Sequence, residues 1–276
     1  MKDVIVAVNS NCYHGFTIDE AIDGIYAAGF KYIELTATKG WTEHVFTDLK
    51  FDELLRIKEK LKRLDIKPIS MSGHCNLMDK ERLDDFKENI HLAKFFDCKY
   101  IVSSIGEAHL NDVEVVKDTI LLDHLRTLVK LLKEFSMTLV LEVHGDHGSG
   151  KAINKIIKDL NEDCVKIAYD SANAIFYGGV DIIDDMKSCI ENISYIHIKD
   201  KAGKQKEWNF PYLGSGDIDF KKVFELLKTY KNNSPLSIEI EFTEKGPESL
   251  EEVNNAVLES KKFLERNGYK VGGEKN

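Results

Sequence analysis

Residues 165–198 read VKIAYDSANAIFYGGVDIIDDMKSCIENISYIHI, and this stretch carries a short apolar run at each end. The runs Val165–Tyr169 and Ile193–Ile198 are rich in β-branched residues and have the length of buried strands. The residues between them are numerous enough to form a helix. We therefore predict a strand, a helix and a second strand, which is the repeating unit of a parallel sheet.

The same unit recurs along the whole chain. Six further apolar runs occur, at Val4–Val8, Tyr32–Leu35, Lys67–Met71, Tyr100–Ser103, Thr138–Val143 and Leu236–Ile240. The eight runs start 27 to 43 residues apart, and amphipathic stretches at helical spacing lie between them. Eight such units close naturally into a (β/α)8 barrel. An open doubly wound sheet would need a glycine-rich phosphate-binding turn after the first run, and VIVAVNSNCYHG (4–15) has none.

We accordingly predict an α/β protein, a (β/α)8 TIM barrel that forms a single domain over residues 1–276. Two helix starts are marked by S/T-x-x-E capping boxes, at Thr17–Glu20 and Ser249–Glu252. Gly29 stands where a left-handed residue is expected to end the first helix. We expect one apolar face of the second helix to contain Leu54, Leu55, Ile57, Leu61 and Leu64.

Composition and charge exclude several classes of protein. Of the 276 residues, 43% are hydrophobic and 31% are charged, which is typical of a packed globular chain. The formal net charge of −9 opposes binding to a phosphate backbone, so we expect no nucleic-acid partner. The five cysteines form no C-x-x-C pair, and no apolar run is long enough to span a membrane. We expect a reduced, cytoplasmic protein with no membrane partner.

Polar side chains end four consecutive predicted strands. Glu142, Asp170, His197 and Glu239 lie at or just after the ends of strands five to eight. Active sites of such barrels form at these ends, and the alternation of side chains along a strand points Glu142, His197 and Glu239 inward.

These four residue types suit a divalent cation. Three converging carboxylates repel one another, so at least one should take up a proton unless a cation lies between them. Three carboxylates and one imidazole are suitable ligands for Mn²⁺, Mg²⁺, Co²⁺ or Zn²⁺. The alternative is a structural charge network, for example one in which Glu142 or Glu239 pairs with Lys199.

Five stretches resemble the xylose isomerase-like TIM barrels, a family that includes sugar-phosphate isomerases and epimerases and the AP endonucleases. They are LEVHG (141–145), YDSAN (169–173), HIKD (197–200), LGSGDIDF (213–220) and LSIEIEF (236–242). The resemblance implies that Glu142, Asp170, His197 and Glu239 bind one catalytic metal ion, for which Mn²⁺ is the first choice. It also implies that His74, in SGHCN after the third strand, reaches the substrate.

The sequence departs from the AP endonucleases at three places. Asn173 stands where those enzymes carry a His after the strand-six Asp, and the fourth strand end offers Ser103 and Ser104 in place of a ligand His. No Asp-x-His follows HIKD. These departures argue against a trinuclear zinc site, in agreement with the acidic net charge.

The resemblance also implies roles in proton transfer. In the isomerases and epimerases, two carboxylates on either side of a metal-chelated keto-sugar act as base and acid. Glu142 and Glu239 suit these roles, and Glu241 is the second choice for the strand-eight ligand or a substrate contact. His144 is a further candidate acid or base, with the orientation of Glu142 as its alternative role.

The long segment Lys199–Asp217 is expected to cover the barrel mouth, because long loops in compact domains are usually functional. Within this segment, Lys199 and Trp208 are predicted substrate contacts, as is Asn173 after strand six. Trp41 and His44, after strand two, are a candidate sugar-stacking wall, with ordinary loop packing as the alternative.

The predicted function is a metal-dependent enzyme that enolises a small-molecule keto-sugar or oxidised sugar, first of all as an isomerase or epimerase. The same enolisation can run into β-elimination. Inosose dehydratase-like members of the family do this, as do the α subunits of enzymes that deglycosylate 3-oxo-C-glycosides with a small β subunit. A non-catalytic metal- or sugar-binding subunit is a third reading. A homo-oligomer or a complex with a small partner subunit stays open.

Overall fold

The computed structural model describes residues 4–107, 110 and 114–272. Eight parallel strands close into a barrel in which each strand pairs with its neighbours in chain order and the last pairs with the first. The barrel strands are β1 (Val6–Asn9), β2 (Tyr32–Thr36), β3 (Lys67–Ser72), β4 (Tyr100–Ser103), β5 (Thr138–Glu142), β6 (Val165–Asp170), β7 (Ile193–Ile198) and β9 (Leu236–Ile238).

The predicted barrel is confirmed. Its strands are the eight predicted ones, and their ends differ from the predicted ends by no more than two residues. Residues 1–3, 108–109, 111–113 and 273–276 of the predicted domain lie outside the described residues.

Helices follow the barrel strands and cover the outside of the barrel. The described α-helices are α1 (Ile18–Ala27), α2 (Phe51–Arg63), α3 (Arg82–Phe95), α4 (Asp118–Phe135), α5 (Gly150–Leu160), α6 (Ser171–Asn173), α7 (Ile182–Cys189), α8 (Phe220–Thr229) and α9 (Leu250–Arg266). None of them, over the part of the chain that is described, has the length and apolar character that crossing a membrane requires.

The alternation of side chains along the strands divides the apolar core into two parts. On β5, Leu139 and Leu141 face the helices and belong to the large outer core, whereas Val140 faces the barrel axis. The small inner core that fills the barrel consists of Ala7, Ile69, Val102, Val140, Ala168 and Tyr195. Continuing the same alternation to the carboxyl end of β5 places Glu142 inward and above this apolar plug. The polar side chains at the strand ends therefore lie above an inner core of apolar side chains that fills the barrel.

The helix boundaries follow the predicted signals with two differences. Thr17 and Glu20 form the full reciprocal capping box of α1, and Gly29 adopts φ +82° after that helix. Ser249 caps α9 by accepting from the Glu252 amide, but the Glu252 carboxylate accepts from the Glu248 amide and not from Ser249. Leu55 is 37% exposed, so the prediction that it shares the buried face of α2 is wrong. The helical repeat carries it away from the stripe of Leu54, Ile57 and Leu61.

The segment between β7 and β9 folds back over the end of the barrel. It contains a two-residue strand, β8 (Asn209–Phe210), which pairs antiparallel with β10 (Phe242–Thr243) beyond the last barrel strand. This small ladder, which the sequence reading did not include, places Trp208 beside the strand ends.

Candidate active site and metal centre

The structure brings together the four residues predicted as metal ligands. Glu142 and Asp170 are the last residues of β5 and β6, His197 lies near the end of β7, and Glu239 directly follows β9. Each side chain is buried and offers one ligand atom, and the four atoms lie within 4.8 Å of one another. Glu241, the second choice for the last strand, is not part of this cluster.

His197 is held in one orientation by a carboxylate that the sequence reading missed. Its Nε2 lies 3.0 and 3.1 Å from the two oxygens of Glu34, which is fully buried on β2. A neutral imidazole has one N–H, so a neutral His197 that donates from Nε2 to Glu34 would carry on Nδ1 the lone pair with which a histidine binds a metal ion. Nδ1 faces Glu142 and lies 3.6 Å from Glu239 Oε2. A carboxylate behind the imidazole is the usual support of a metal-binding histidine.

Glu34 is itself fixed by a buried hydrogen-bond chain. The Tyr195 hydroxyl donates to Glu34 Oε2 over 2.7 Å, and Ser70 Oγ lies 2.5 Å from the Tyr195 hydroxyl. A sequence signal for Glu34 did exist. It stands between Ile33 and Leu35, which both pack into the outer core, so alternation alone points its carboxylate inward.

Asp170 has one oxygen occupied and one oxygen available. Its Oδ1 accepts from the backbone amides of Ala172 and Asn173, each at 2.8 Å. Its Oδ2 is buried and has no hydrogen-bond partner among the described residues. Buried polar atoms are nearly always satisfied, so an unmatched carboxylate oxygen within this cluster is what a metal ligand would show.

Glu239 has the same division of roles between its two oxygens. The side-chain amides of Asn9 and Asn11 donate to Oε1 over 3.2 and 3.0 Å. The other oxygen, Oε2, faces His197 Nδ1 and the ammonium group of Lys199. The two asparagines come from β1 and the turn after it, and the sequence reading did not single them out.

The electrostatics of the cluster favour a bound cation. Burial raises the pKa of Glu142 and the pKa of Asp170, so each carboxyl resists ionisation. Burial acts on Glu239 in the same direction, but the neighbouring Lys199 and His197 lower its pKa to about 2. The charge of Glu239 further raises the pKa of Glu142 and the pKa of Asp170, so the predicted repulsion between converging carboxylates is present. One imidazole, three carboxylates and the unmatched Asp170 oxygen together fit a divalent ion of the Mn²⁺, Mg²⁺, Co²⁺ or Zn²⁺ type.

The remaining predicted site residues line the same cavity as Glu142 and Glu239. This cavity opens at the carboxyl ends of the barrel strands. The five other predicted residues on its wall are His74, His144, Asn173, Lys199 and Trp208.

Lys199 takes part in the charge network that the sequence offered as an alternative. Its ammonium nitrogen lies 2.6 Å from Glu241 Oε2, 3.4 Å from Glu239 Oε2 and 3.9 Å from Asp170 Oδ2. Burial disfavours the charged form, yet the neighbouring Glu239 and Glu241 carboxylates raise the pKa of Lys199. A contact between Lys199 and substrate stays a prediction.

The hydrogen bonds of His74 fix the direction in which it can donate. The Ser104 backbone amide donates to His74 Nδ1 over 2.9 Å, so a neutral His74 carries its proton on Nε2. That nitrogen lies 3.8 Å from Glu142 Oε2, at the wall of the cavity. His144 lies beside it, with its ring centroid 6.3 Å from that of His74 and 4.4 Å from that of Tyr177.

Aromatic side chains form the outer wall of the cavity. Trp41 and Trp208 both line it and meet edge to face, with ring centroids 6.4 Å apart. Tyr177, which the sequence reading passed over, lies on the same wall. The inclusion of His44 in this wall is wrong. Its ring turns inward, Nε2 bonds the Phe16 carbonyl over 3.1 Å, and burial lowers the pKa of this histidine to about 4.

Comparison with known proteins agrees with this architecture. The model of the family described as "Xylose isomerase-like TIM barrel" matches residues 22–266. The chain is 31% identical to an inosose dehydratase of Clostridium tetani over 134 residues. This stretch makes up 42% of this chain and 45% of the relative. It is 27% identical over 163 residues to an inosose dehydratase of Clostridium perfringens, covering 53% and 51% of the two chains. The chain thus spans about half the length of the curated relatives it matches.

A solved structure extends the likeness over nearly the whole chain. The D-allulose 3-epimerase of Methylomonas sp., determined in complex with D-allulose, superimposes with a TM-score of 0.75 and covers 96% of this chain and 98% of its own. The two sequences are 13% identical, so this likeness concerns the fold.

Proposed function

The chain belongs to the xylose isomerase-like TIM barrel family, and from this membership we propose that it is a divalent-metal-dependent enzyme that enolises a keto-sugar or oxidised sugar. Isomerisation or epimerisation is the proposed outcome. One observation carries the proposal. Four ligand atoms from consecutive strand ends lie within 4.8 Å of one another at the base of the cavity that opens at these strand ends. Two of the four residues, Glu142 and Glu239, come from strands on different sides of that cavity.

Glu142, Asp170, His197 and Glu239 are the proposed metal ligands. The bound ion would supply Lewis-acid polarisation of a substrate carbonyl, which acidifies the neighbouring C–H bond. Manganese is the proposed ion, because the donor set is dominated by carboxylate oxygens and contains one imidazole. The hydrogen bonds that His197 donates to Glu34, and those that Asn9 and Asn11 donate to Glu239, orient the ligand atoms in advance.

Glu142 and Glu239 are the proposed base and acid. Each carboxyl group borders the cavity, so one can take a proton from the carbon next to the carbonyl and the other can return a proton from the opposite side. Delivery to the opposite side inverts the configuration of that carbon, which is epimerisation. Delivery to the former carbonyl carbon exchanges the positions of carbonyl and hydroxyl, which is isomerisation.

His74 and the aromatic wall support this proton transfer. The Nε2–H of His74 points toward Glu142 and can donate to a substrate oxygen that carries developing negative charge. Trp41 and Trp208 offer apolar faces that can pack against the C–H bonds of a sugar ring and limit the access of water. His144 and Asn173 are further proposed substrate contacts from the same cavity wall.

A second candidate reaction is β-elimination from the same enolate. The similarity to inosose dehydratases favours it, because those relatives are named for the removal of water from a keto-polyol. Loss of a hydroxyl or of a glycosidic substituent next to the enolate needs the same base and the same metal. The deglycosylation of 3-oxo-C-glycosides with a small partner subunit belongs to this class. A non-catalytic binding subunit would keep the ligands and show no turnover.

Product analysis separates these outcomes. Mn²⁺-loaded protein is incubated with ketohexoses, with an inosose and with a 3-oxo-glycoside, and the products are followed by NMR. An epimer or an isomer supports the proposed outcome, whereas loss of water or release of the aglycone moves the assignment to the lyase. Glu239→Gln should abolish either reaction, and Glu225→Gln on the exposed face of α8 is the matched control. If none of these compounds is converted, the proposal that the protein is an enzyme is contradicted.

A further inference from the structure

The amide-rich turn before α8 is filled by a side chain of the protein itself. The carboxylate of Asp200, two residues beyond β7, accepts from four backbone amides. These donors are Lys201 at 2.8 Å, Gly214 at 2.8 Å, Gly216 at 2.9 Å and Ile218 at 3.3 Å. Asp200 is fully buried in this turn. Four converging amides form a typical anion-binding nest, and here the anion is internal.

The position of this nest matters for substrate choice. In TIM barrels, a phosphate group of the substrate is frequently bound by the loops after strands seven and eight and by a nearby helix N-terminus. The Asp200 turn follows the seventh barrel strand and leads directly into α8. A β-carbon on Gly216 would lie 2.3 Å from Asp200 Oδ1, so the carboxylate is packed against the backbone with no space for a second anion.

The cavity is also acidic on the side facing the substrate. Glu142, Glu239 and Glu241 line it, and Asp170 lies directly beneath. Among the described residues that line it, Lys199 is the one Lys or Arg, and three of the four carboxylates lie within 3.9 Å of its ammonium group. In the proposed proton transfer one carboxyl of the Glu142 and Glu239 pair is protonated, so the bound ion and Lys199 offset the remaining carboxylates and leave no net positive charge. A phosphate dianion would therefore find no excess positive charge and no unpaired Lys or Arg side chain among the described lining residues.

We infer that the substrate of this site is an uncharged polyhydroxy ketone and that its phosphorylated counterparts are rejected. This inference rests on the proposed function and specifies its substrate class. Two features carry it: the amide nest closed by Asp200, and the cavity whose one ammonium group is paired with carboxylates. Neutral hydroxyl groups, in contrast, can donate to the free lone pairs of these carboxylates and accept from His74.

Paired probes test the inference. Mn²⁺-loaded protein is given D-fructose and D-tagatose in D₂O beside the 1-phosphate and the 6-phosphate of each, and deuterium incorporation next to the carbonyl is measured. We expect kcat/KM for each phosphate to be ~100-fold or more below that of its parent sugar, the size of effect that like-charge contacts produce. Equal or faster exchange with a phosphate overturns the inference while leaving the enolisation proposal intact. If none of the six compounds shows exchange, the result contradicts the enolisation proposal itself.

A charge variant gives an independent reading. Glu241→Gln removes one carboxylate from Lys199, so the preference for the free sugar over its phosphate should shrink by about tenfold. The matched control Glu225→Gln should leave the ratio of the two kcat/KM values unchanged. Because a ratio within one variant is measured, a general loss of activity does not imitate the effect. An unchanged ratio in Glu241→Gln would overturn the role assigned to cavity charge.

Discussion

At the scale of single residues, the site depends on side chains that orient other side chains by hydrogen bonds. Glu34 never reaches the cavity wall, yet its two oxygens decide which nitrogen of His197 faces the acidic cluster. Asn9 and Asn11 do the same for Glu239, and backbone amides do it for Asp170. Three of the four proposed ligands, Asp170, His197 and Glu239, thus have one polar atom held by the protein and another directed at the cluster, which reduces the entropy lost on metal binding.

Glu34→Gln directly tests whether Glu34 orients His197. The carboxamide keeps the size of the side chain but loses the charge that holds the imidazole N–H, so Mn²⁺ affinity should fall about 10- to 100-fold. The dissociation constant is measured by electron paramagnetic resonance of free Mn²⁺. The spectrum of the bound ion should also change, which a purely structural defect would not cause.

Glu225→Gln on the exposed face of α8 serves as the control for removal of a glutamate charge. A folded Glu34→Gln protein that binds Mn²⁺ as tightly as the unmodified chain would show that Glu34 does not position the ligand.

The residues at this scale were predictable in unequal measure. The alternation of polar and apolar residues at four strand ends was enough to single out Glu142, Asp170, His197 and Glu239. The same rule applied to β2 would have found Glu34, but a glutamate between two apolar residues also fits an ordinary strand. Asn11 lies in a four-residue 3-10 helix and Tyr177 in a five-residue π-helix, and segments this short leave no periodic signal in the sequence.

At the scale of elements, the segment between β7 and β9 connects the site to the outer layer. Asp200 ties the start of this segment to its end through the amides of Gly214 and Gly216, and β8 fastens its centre to β10. Trp208, directly before β8, is thereby held at the cavity wall. The sequence predicted a covering segment from its length alone, but the two-residue ladder was too short to leave a pattern.

Gly216→Ala should loosen this segment. The added methyl group would lie 2.3 Å from Asp200 Oδ1, so the carboxylate must leave at least one of its amide partners. Loss of a buried hydrogen bond to a charged group costs about 2 kcal/mol of unfolding free energy, measured by urea denaturation. We also expect a lower kcat/KM, because Trp208 lies on the same segment. The exposed neighbour Ser215→Ala is the control, and a Gly216→Ala protein as stable as that control would contradict the nest.

Thr17→Ala tests the capping box at the start of α1, which was predicted directly from the sequence. The Thr17 hydroxyl accepts from the Glu20 amide, and its removal leaves the start of α1 with an unsatisfied donor. The expected loss of unfolding free energy is about 1 kcal/mol in urea denaturation. Mn²⁺ affinity should be unchanged, since α1 contributes no proposed ligand. A loss of affinity in this variant would mean that general stability, and not the cluster, controls metal binding.

At the scale of the whole molecule, the barrel turns eight separate strand ends into one site. The recurrence of eight strand–helix units was readable from the sequence because each unit repeats the same two periodicities. The closure of β9 onto β1 then brings Glu239 beside His197 and Asn11, which are distant in the chain. Such contacts depend on the register of the closed barrel, and no local pattern contains them.

Because the proposed ligands come from four strands, metal binding should stabilise the entire barrel. An ion that binds the folded state alone adds about 2.7 kcal/mol at a concentration 100 times its Kd. For a chain of this size we expect Mn²⁺ to raise Tm by roughly 5–10 °C in differential scanning calorimetry. Asp170→Asn should show a much smaller rise, and an equal rise in both proteins would place the ion elsewhere.

The most direct test of the central proposal is solvent exchange at the carbon next to a sugar carbonyl, followed by NMR in D₂O with ketohexoses and an inosose. We predict deuterium incorporation by the Mn²⁺-loaded protein, its loss after chelation of the metal and its recovery when Mn²⁺ is restored. Glu142→Gln should show no exchange, and Glu225→Gln should behave like the unmodified chain. Exchange that persists without metal, or that survives Glu142→Gln, would contradict the proposal that the four strand-end residues form a metal centre for enolisation.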